Sequence, residues 1–342
     1  MNIFITGGAG FIGSNFINKF FEKYNSQDIE LEFEGIKFNE SCKIQNKSIS
    51  FNLINFDALY YSANENNVNK KIRNDYRYKF IHGNLQSYDL LKYIFQTNKI
   101  THIIHFAAQS HVQNSFTDAL QYTKDNVLGT HNLLEVARLY CPTLEKFIHV
   151  STDEVYGESM LLANESCKTE QSILCPTNPY AASKAAAEML VQSYNHSFNM
   201  PIIITRGNNV YGPNQYPEKV IPRFIKQLKE GKKVTIQGNG SCIRAFLHAE
   251  DTALAFIKIL EKGKIGEIYN IGCDEGMEYS ILDVAKILIK KIKGKEALVE
   301  DWIEYIEDRP FNDKRYYISN TKLKKLGWEI TIGFEEGINK LI

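Results

Sequence analysis

The chain has 342 residues, with 40 Lys and Arg against 40 Asp and Glu, and 44% of its residues are hydrophobic. That length can bury a core in one large domain or two joined lobes, and the balanced charge offers no global field for nucleic acid or an anionic membrane. Cys42, Cys141, Cys167, Cys175, Cys242 and Cys273 show no Cys-x-x-Cys spacing, which argues against a zinc site and a disulfide framework and for a reducing cytosol.

No basic-then-apolar leader opens the sequence and no apolar run approaches membrane-spanning length, so a soluble cytoplasmic protein is expected. Asn2 to Thr6 reads as a short apolar strand that runs into Gly7-Gly8-Ala9-Gly10-Phe11-Ile12-Gly13 and then an amphipathic stretch. Gly7 permits the tight turn, Gly10 lets the backbone approach a pyrophosphate, and Gly13 lets helix and strand pack closely, while the helix N-terminus attracts negative charge. Glycines alone also serve ordinary turns, and it is the strand-loop-helix context that makes this a dinucleotide site.

Asp28 to Ser50 is polar and rich in Asn and Lys, with apolar alternation in Ile29-Glu30-Leu31-Glu32-Phe33. It reads as a surface hairpin or partly disordered insertion rather than a functional lid. The next strand, Phe51 to Phe56, ends on Asp57. The acid that holds the adenosine ribose is expected about 20 residues after the glycines, and Asp57 lies much further on, but its place at a strand end outranks raw spacing. Its carboxylate would accept the ribose hydroxyls and repel a 2'-phosphate, and no Arg follows closely, so NAD is favoured over NADP. An acidic residue in a loop is the bland alternative.

Further apolar strands follow at Lys79 to His82, Thr101 to Phe106, Lys146 to Ser151 and Pro201 to Thr205, each followed by an amphipathic segment. This alternation predicts an α/β fold with a doubly wound parallel sheet of the Rossmann type. The NAD-binding domain is expected over 1–206. From Gly207 the rhythm loosens, with Pro213, Pro217 and Pro222, a turn at Gly238-Asn239-Gly240 and a helical run from Ser280 to Ile292. Residues 207–342 are therefore expected to form mainly a smaller substrate-binding lobe over the strand ends, with the chain free to cross between lobes.

The chemistry lies in Ser151-Thr152-Asp153-Glu154-Val155-Tyr156-Gly157 and in the pair Tyr180-x-x-x-Lys184 at the start of a helical stretch. Adjacent carboxylates beside a hydroxyl and a Tyr/Lys pair supply an acid, a base and a phenolic proton acceptor, the set needed for oxidation coupled to elimination. The competing readings are a surface helix pair for Tyr180 and Lys184 and a solvated turn or helix cap for Asp153 and Glu154. His102, His105 and His111 suggest a metal only superficially, because the first two face opposite sides of a predicted strand, and no metal is expected.

With these motifs in place the chain resembles the extended short-chain dehydrogenases, and within them the nucleotide-sugar 4,6-dehydratases. The similarity continues through His105-Phe106-Ala107-Ala108-Gln109-Ser110-His111-Val112, Asn178-Pro179-Tyr180, Arg206-Gly207-Asn208-Asn209-Val210-Tyr211-Gly212-Pro213 and Tyr269-Asn270-Ile271-Gly272. It extends to Asp308-Arg309-Pro310-Phe311-Asn312-Asp313 and Leu326-Gly327-Trp328. The wording Arg-Pro-Phe-Asn-Asp is similar to the UDP-glucose enzymes of UDP-rhamnose synthesis, whereas bacterial dTDP-glucose enzymes usually carry Arg-Pro-Gly-His-Asp. UDP-glucose is therefore the expected substrate and dTDP-glucose the alternative. Asn84 in His82-Gly83-Asn84 departs from the Asp that the family commonly places beside the adenine.

The resemblance implies that Gly7, Gly10, Phe11, Ile12, Gly13, Asp57, Asn84, Leu85, Phe106, Ala107 and Ala108, with Tyr180 and Lys184, surround NAD. It implies a substrate site built from Ser110, Thr152, Asn209, Lys219, Val220, Arg244, Asn270, Arg309 and Asn312. Arg244 and Arg309 would hold the diphosphate, a geometry that suits guanidinium, although a surface ion pair is the plain alternative for each. In the implied mechanism Tyr180, with Lys184 and Thr152, takes the O4 proton as C4 is oxidised, Glu154 removes H5, Asp153 protonates the departing C6 hydroxyl, and the hydride returns to C6. A UDP-sugar 4-epimerase needs no such acid and a UDP-glucuronate decarboxylase lacks the Asp, so Asp153 is the discriminating residue. A non-catalytic NAD-sensing scaffold would be free to lose Tyr180 or Lys184. A homodimer through the long helices near Asn114 to Leu139 and Asn178 to His196 is expected by analogy.

Overall fold

Short runs of Ile, Phe and Val, apolar at successive positions, suit strands covered on both faces. β1 (Asn2–Thr6), β2 (Asn52–Asp57), β4 (His102–His105), β5 (Lys146–Thr152) and β6 (Ile202–Gly207) are such runs, while β3 (Tyr78–His82), with Lys79 and His82 exposed, forms an edge. The remaining strands are β7 (Asn209–Tyr211), β8 (Val234–Gln237), β9 (Ile243–His248), β10 (Ile268–Ile271), β11 (Glu278–Ser280) and β12 (Ile303–Ile306). The structure, a computed structural model, describes residues 1–25, 50–159, 166–308 and 311–342. Arg309 and all but the last residue of the Asp28 to Ser50 insertion lie outside the described residues.

A seven-stranded sheet in the order β10-β6-β5-β4-β1-β2-β3 carries the fold, and every pairing in it is parallel. Because side chains alternate across a strand, Ile3 and Ile5 enter the core on one face and Phe4 enters the core on the other. The helices Phe11–Asn25 and Ala249–Lys262 cover the first face; Tyr88–Thr97, Gly129–Tyr140 and Pro179–Phe198 cover the second. This is the doubly wound α/β sheet expected from the sequence. Its strand order reverses between β1 and β4, where Thr6 is paired with His105, and a crevice opens beyond the carboxyl ends of strands at such a switch point.

The seventh strand comes from well beyond residue 206: β10 pairs with β6 in the register Ile268↔Ile204. The rest of the C-terminal half builds two smaller sheets, β11-β9-β7 and β12-β8. These pack with the helices Val220–Lys229 and Ile281–Lys293 around Phe224, Leu228, Ile236, Leu288 and Phe334. Ser280 starts the second helix with a capping box closed by Asp283, which fixes its entry. The helical stretch expected over Asn114 to Leu139 is broken. Asp118, at φ −138° and ψ 56°, leaves the helical region and caps the turn Ala119–Tyr122, and a π-helical passage, Thr123–Leu128, leads into Gly129–Tyr140.

Candidate active site

The glycine loop sits at the switch point, where Gly7 and Gly13 leave no room for a side chain. Gly7 has φ +74°, and a Cβ on it would lie 2.6 Å from the Ala107 amide nitrogen. A Cβ on Gly13 would lie 2.4 Å from the Gly7 carbonyl oxygen, so strand, loop and helix approach at backbone distance. The helix Phe11–Asn25 has no acidic side chain in its first turn, which leaves its positive end available to an anion. One groove at the strand ends is lined by Gly7, Gly10, Phe11, Ile12, Gly13, Asp57, Asn84, Leu85, Phe106, Ala107, Ala108, Ser110, Tyr180, Lys184 and Lys219. A cradle with no room for side chains, a helix N-terminus and a strand-end carboxylate fit a dinucleotide.

Asp57 ends β2 and ties it to the loop, its carboxylate accepting from the Ala9 amide at 2.9 Å and the Leu59 amide at 2.8 Å. Burial pushes its pKa up while these backbone bonds pull against the rise. Asn84 donates to the Tyr60 hydroxyl at 2.7 Å. Across the groove the Tyr61 hydroxyl donates to Glu218 at 2.9 Å and its ring meets Tyr216 edge-on at 5.3 Å, so the loop after β2 touches the loop before the helix Val220–Lys229. Lys219, in that second loop, donates to the Ser110 carbonyl at 2.9 Å.

The reacting groups lie where β5 ends. Asp153 is 2% exposed and Lys184 3%, so neither a solvated turn nor a surface helix pair describes them. Asn178 caps the helix Pro179–Phe198 and brings Tyr180 and Lys184 into its first turns. Lys184 donates from Nζ to the Val150 carbonyl at 2.7 Å, and burial lowers its pKa to about 8, with Glu188 opposing. Burial, then the charge of Glu154, push the Tyr180 phenol up, while the Thr152 hydroxyl beside it favours the phenolate.

Burial and the neighbouring Glu154 push Asp153 up to about 7. Its Oδ1 lies 3.1 Å from Thr152 Oγ1 and its Oδ2 accepts from Asn208 Nδ2 at 2.5 Å. Burial raises Glu154 as well, and the Asn178 amide, at 3.0 Å from Oε2, and the charge of Arg244 lower it. The Tyr316 hydroxyl lies between Glu154 Oε2, at 3.3 Å, and Asp313. The set can therefore hold a proton on one carboxyl near neutral pH and offer a second carboxyl as base.

Arg244 lies over the Tyr316 ring at 5.0 Å and donates to Asn312 Oδ1 at 3.3 Å, which brings both substrate-side residues to the Glu154 side of the cluster. Asn209 is half-buried in β7, and Val220 opens the helix beyond Lys219. Asn270 stands apart. It is fully buried, with Oδ1 accepting from the Tyr156 hydroxyl at 2.8 Å and Nδ2 donating to the Lys168 carbonyl at 3.3 Å, so its side chain is committed within the protein. Arg206, in the same motif as Asn209, is likewise internal: it pairs with Glu188, and the two side chains are 2% and 0% exposed.

Asn178, Asn208, Asp313 and Tyr316 were not among the expected site residues. Asn178, Asn208 and Asp313 stand inside segments that carry the resemblance, but the roles of the two amides depend on which backbone group orients each. The Ala181 amide donates to Asn178 Oδ1 at 2.8 Å, so its NH2 faces Glu154. The Cys273 amide donates to Asn208 Oδ1 at 3.0 Å, so its NH2 faces Asp153. Among the described residues no group of three or more His, Cys, Asp and Glu is placed to hold a metal ion, and no helix is long and apolar enough to cross a membrane.

The profile of the family described as GDP-mannose 4,6 dehydratase matches residues 4–341. The chain is 44% identical over 342 residues to a dTDP-D-glucose 4,6-dehydratase of Bos taurus, covering 99% of this chain and 87% of that one. It is 43% identical over 339 residues to a trifunctional UDP-glucose 4,6-dehydratase/UDP-4-keto-6-deoxy-D-glucose 3,5-epimerase/UDP-4-keto-L-rhamnose-reductase of Arabidopsis thaliana, covering 99% of this chain and 46% of that protein. It thus spans about half the length of that relative. Among solved structures, a dTDP-glucose 4,6-dehydratase from Streptomyces venezuelae crystallised with NAD superposes with a TM-score of 0.84 at 32% identity, covering 99% of this chain and 94% of that one.

Proposed function

The chain belongs to the GDP-mannose 4,6-dehydratase family, and from that premise we propose that it is an NAD-dependent UDP-glucose 4,6-dehydratase. The observation that carries this reading is the adjacent pair of buried Asp153 and half-buried Glu154, with Asp153 raised to about 7, whose charges act on Tyr180. A 4-epimerase needs neither carboxylate. Elimination of water needs both, because the hydroxyl at C6 leaves only with a proton and H5 leaves only to a base.

Tyr180 accepts the O4 proton, with Lys184 held beside the strand by the Val150 carbonyl. When bound, NAD supplies the hydride acceptor for C4 and donor for C6, and the positive nicotinamide that offsets the burial of a Tyr180 phenolate. The resulting C4 ketone makes H5 acidic, and Glu154, kept ionisable by Asn178 and Arg244, removes it. Asp153 gives its proton to the C6 oxygen, which departs as water, and Glu154 returns a proton to C5. Gly7, Gly10, Gly13 and Asp57 position the dinucleotide, and Arg244 binds the diphosphate, a role the resemblance also implies for Arg309. A homodimer through the helices Gly129–Tyr140 and Pro179–Phe198, which expose Leu139, Met189 and Phe198, is part of the same proposal.

The choice of uridine rests on the Arg309-Pro310-Phe311-Asn312-Asp313 wording. A one-methyl difference in a fitted pocket is worth roughly 1 to 3 kcal/mol, about 10- to 200-fold in specificity. Incubation with UDP-glucose and with dTDP-glucose, with mass detection of water loss, tests both levels. UDP-glucose is expected to have the higher kcat/KM; equal or reversed values overturn the base assignment, and loss of water from neither overturns the dehydratase reading.

A further inference from the structure

A buried ion pair stands behind the reacting groups. Tyr180, Lys184 and Glu188 follow one another at four-residue steps in the helix Pro179–Phe198 and are all buried, so they share its inner face. Glu188 pairs there with Arg206 of β6. Apolar side chains of similar volume often replace such a pair without loss of stability, so stability alone does not account for it.

The guanidinium has two sides and each meets a different segment. Arg206 Nε lies 3.1 and 3.2 Å from the two carboxylate oxygens of Glu188, and Nη2 donates to the same carboxylate. Nη1 points the other way, to the Tyr156 hydroxyl at 2.7 Å and the Glu170 carbonyl at 3.2 Å. The guanidinium also lies over the Tyr156 ring at 4.7 Å, and the Tyr156 hydroxyl donates onward to Asn270 Oδ1 at 2.8 Å. Tyr156 closes the single turn Asp153–Tyr156, which carries both carboxylates of the site.

We propose that Arg206 is a positioning residue, which locks the turn carrying Asp153 and Glu154 to the helix carrying Tyr180 and Lys184 through Tyr156 on one side and Glu188 on the other. The inference rests on the dehydratase reading above. One tie between turn and helix already exists at the helix N-cap, where Asn178 Nδ2 donates to Glu154 Oε2 at 3.0 Å. A single contact fixes a distance and leaves the turn free to pivot about it. The second tie, at the far end of the turn, removes the pivot, and a planar guanidinium with its donors in a rigid fork fixes orientation as well as distance.

The reaction makes that spacing matter. In one bound pose the sugar must offer C4 to Tyr180 and C5 and C6 to Glu154 and Asp153, and a displacement of about 1 Å can cost about 100-fold in rate. Oxidation at C4 depends on Tyr180 and Lys184, with Thr152 held in the sheet by its pairing with Gly207. Elimination depends on the turn. Releasing the turn from Arg206 therefore slows elimination and spares oxidation.

Tyr156→Phe removes one oxygen and with it the link from Arg206 to the turn. The NAD-loaded wild type and variant, with folding checked by urea denaturation, are compared in two reactions. Water loss is followed by mass spectrometry with UDP-glucose or dTDP-glucose, whichever the wild type dehydrates. Oxidation alone is followed by stopped-flow absorbance of the reduced nicotinamide with the 6-deoxyglucose nucleotide of the same base, which has no C6 hydroxyl to lose. Water loss should fall about 10- to 100-fold in Tyr156→Phe, while nicotinamide reduction stays at the wild-type rate. The double variant Glu188→Leu/Arg206→Met leaves no buried charge unpaired, so it should resist urea better than Glu188→Ala and show the same split between the two reactions. Undiminished water loss in Tyr156→Phe overturns the proposal, and so does a fall in nicotinamide reduction as large as the fall in water loss, whether or not the double variant folds. A wild type that removes water from neither sugar nucleotide refutes the dehydratase reading itself, a result distinct from failure of the positioning role.

Discussion

Replacing Asn208 by Leu tests how the acid is tuned. Leu keeps roughly the volume of the amide but removes the donor at 2.5 Å from Asp153 Oδ2. That bond favours the carboxylate and is among the forces that hold Asp153 down against burial and Glu154. A hydrogen bond to a charged group contributes about 1.5 to 3 kcal/mol, and one pKa unit is about 1.4 kcal/mol, so the acid should rise by about one to two units from its place near 7. The group must be protonated to release water, so the alkaline limb of the kcat profile, which belongs to the coupled Asp153 and Glu154 pair, should move to higher pH. The Cys273 amide also loses its acceptor, at a cost to stability of about 1 to 3 kcal/mol. The assay is water loss by mass spectrometry across pH, on protein whose folding is checked by circular dichroism. An alkaline limb that stays in place, or moves down, refutes the reasoning.

Asp153→Asn and Glu154→Gln should fail differently: in the first, solvent deuterium should still enter C5 without water loss, and in the second that exchange should be suppressed, so equal exchange in both would reverse the assignment of acid and base. Glu188→Ala leaves the Arg206 guanidinium buried without its carboxylate and should cost about 3 to 5 kcal/mol in urea denaturation; a loss below about 1 kcal/mol would mean that Tyr156 and the Glu170 carbonyl, its other partners, suffice. His149 is fully buried with neither ring nitrogen hydrogen-bonded, and its pKa lies well below 6.5. A folded pKa depressed in this way contributes stability above pH 6.5 that is lost as pH falls toward the folded value, so His149→Leu should leave neutral stability within about 1 kcal/mol and flatten the decline below pH 6.5. His105, lowered to about 3 by burial and the Lys184 charge, keeps part of that slope; an unchanged slope in the variant would show that His149 does not titrate on unfolding.

Local pattern determined a large part of this protein. Apolar strands at regular intervals, each followed by an amphipathic segment, predict the parallel sheet because strand and helix periods are properties of neighbouring residues. The glycine loop is legible for the same reason: Gly7, Gly10 and Gly13 meet one strand and one helix within a few residues. Asp57 is found by its place at a strand end despite the long insertion, since that position, and not the count of residues, brings its carboxylate to the Ala9 amide. Tyr180 and Lys184 share a helix face by their spacing.

Tertiary structure decided what each polar side chain faces. Asn208 serves Asp153 only because the Cys273 amide, 65 residues away in the chain, occupies its oxygen. Asn270 looks like a site residue in its motif, yet β10 pairs with β6 and carries the residue beneath Tyr156, where both ends of its amide are taken. An amide presents a donor or an acceptor according to its partners, and a carboxyl is acid or base according to its burial. Both depend on groups brought together from distant segments, which no local sequence pattern contains.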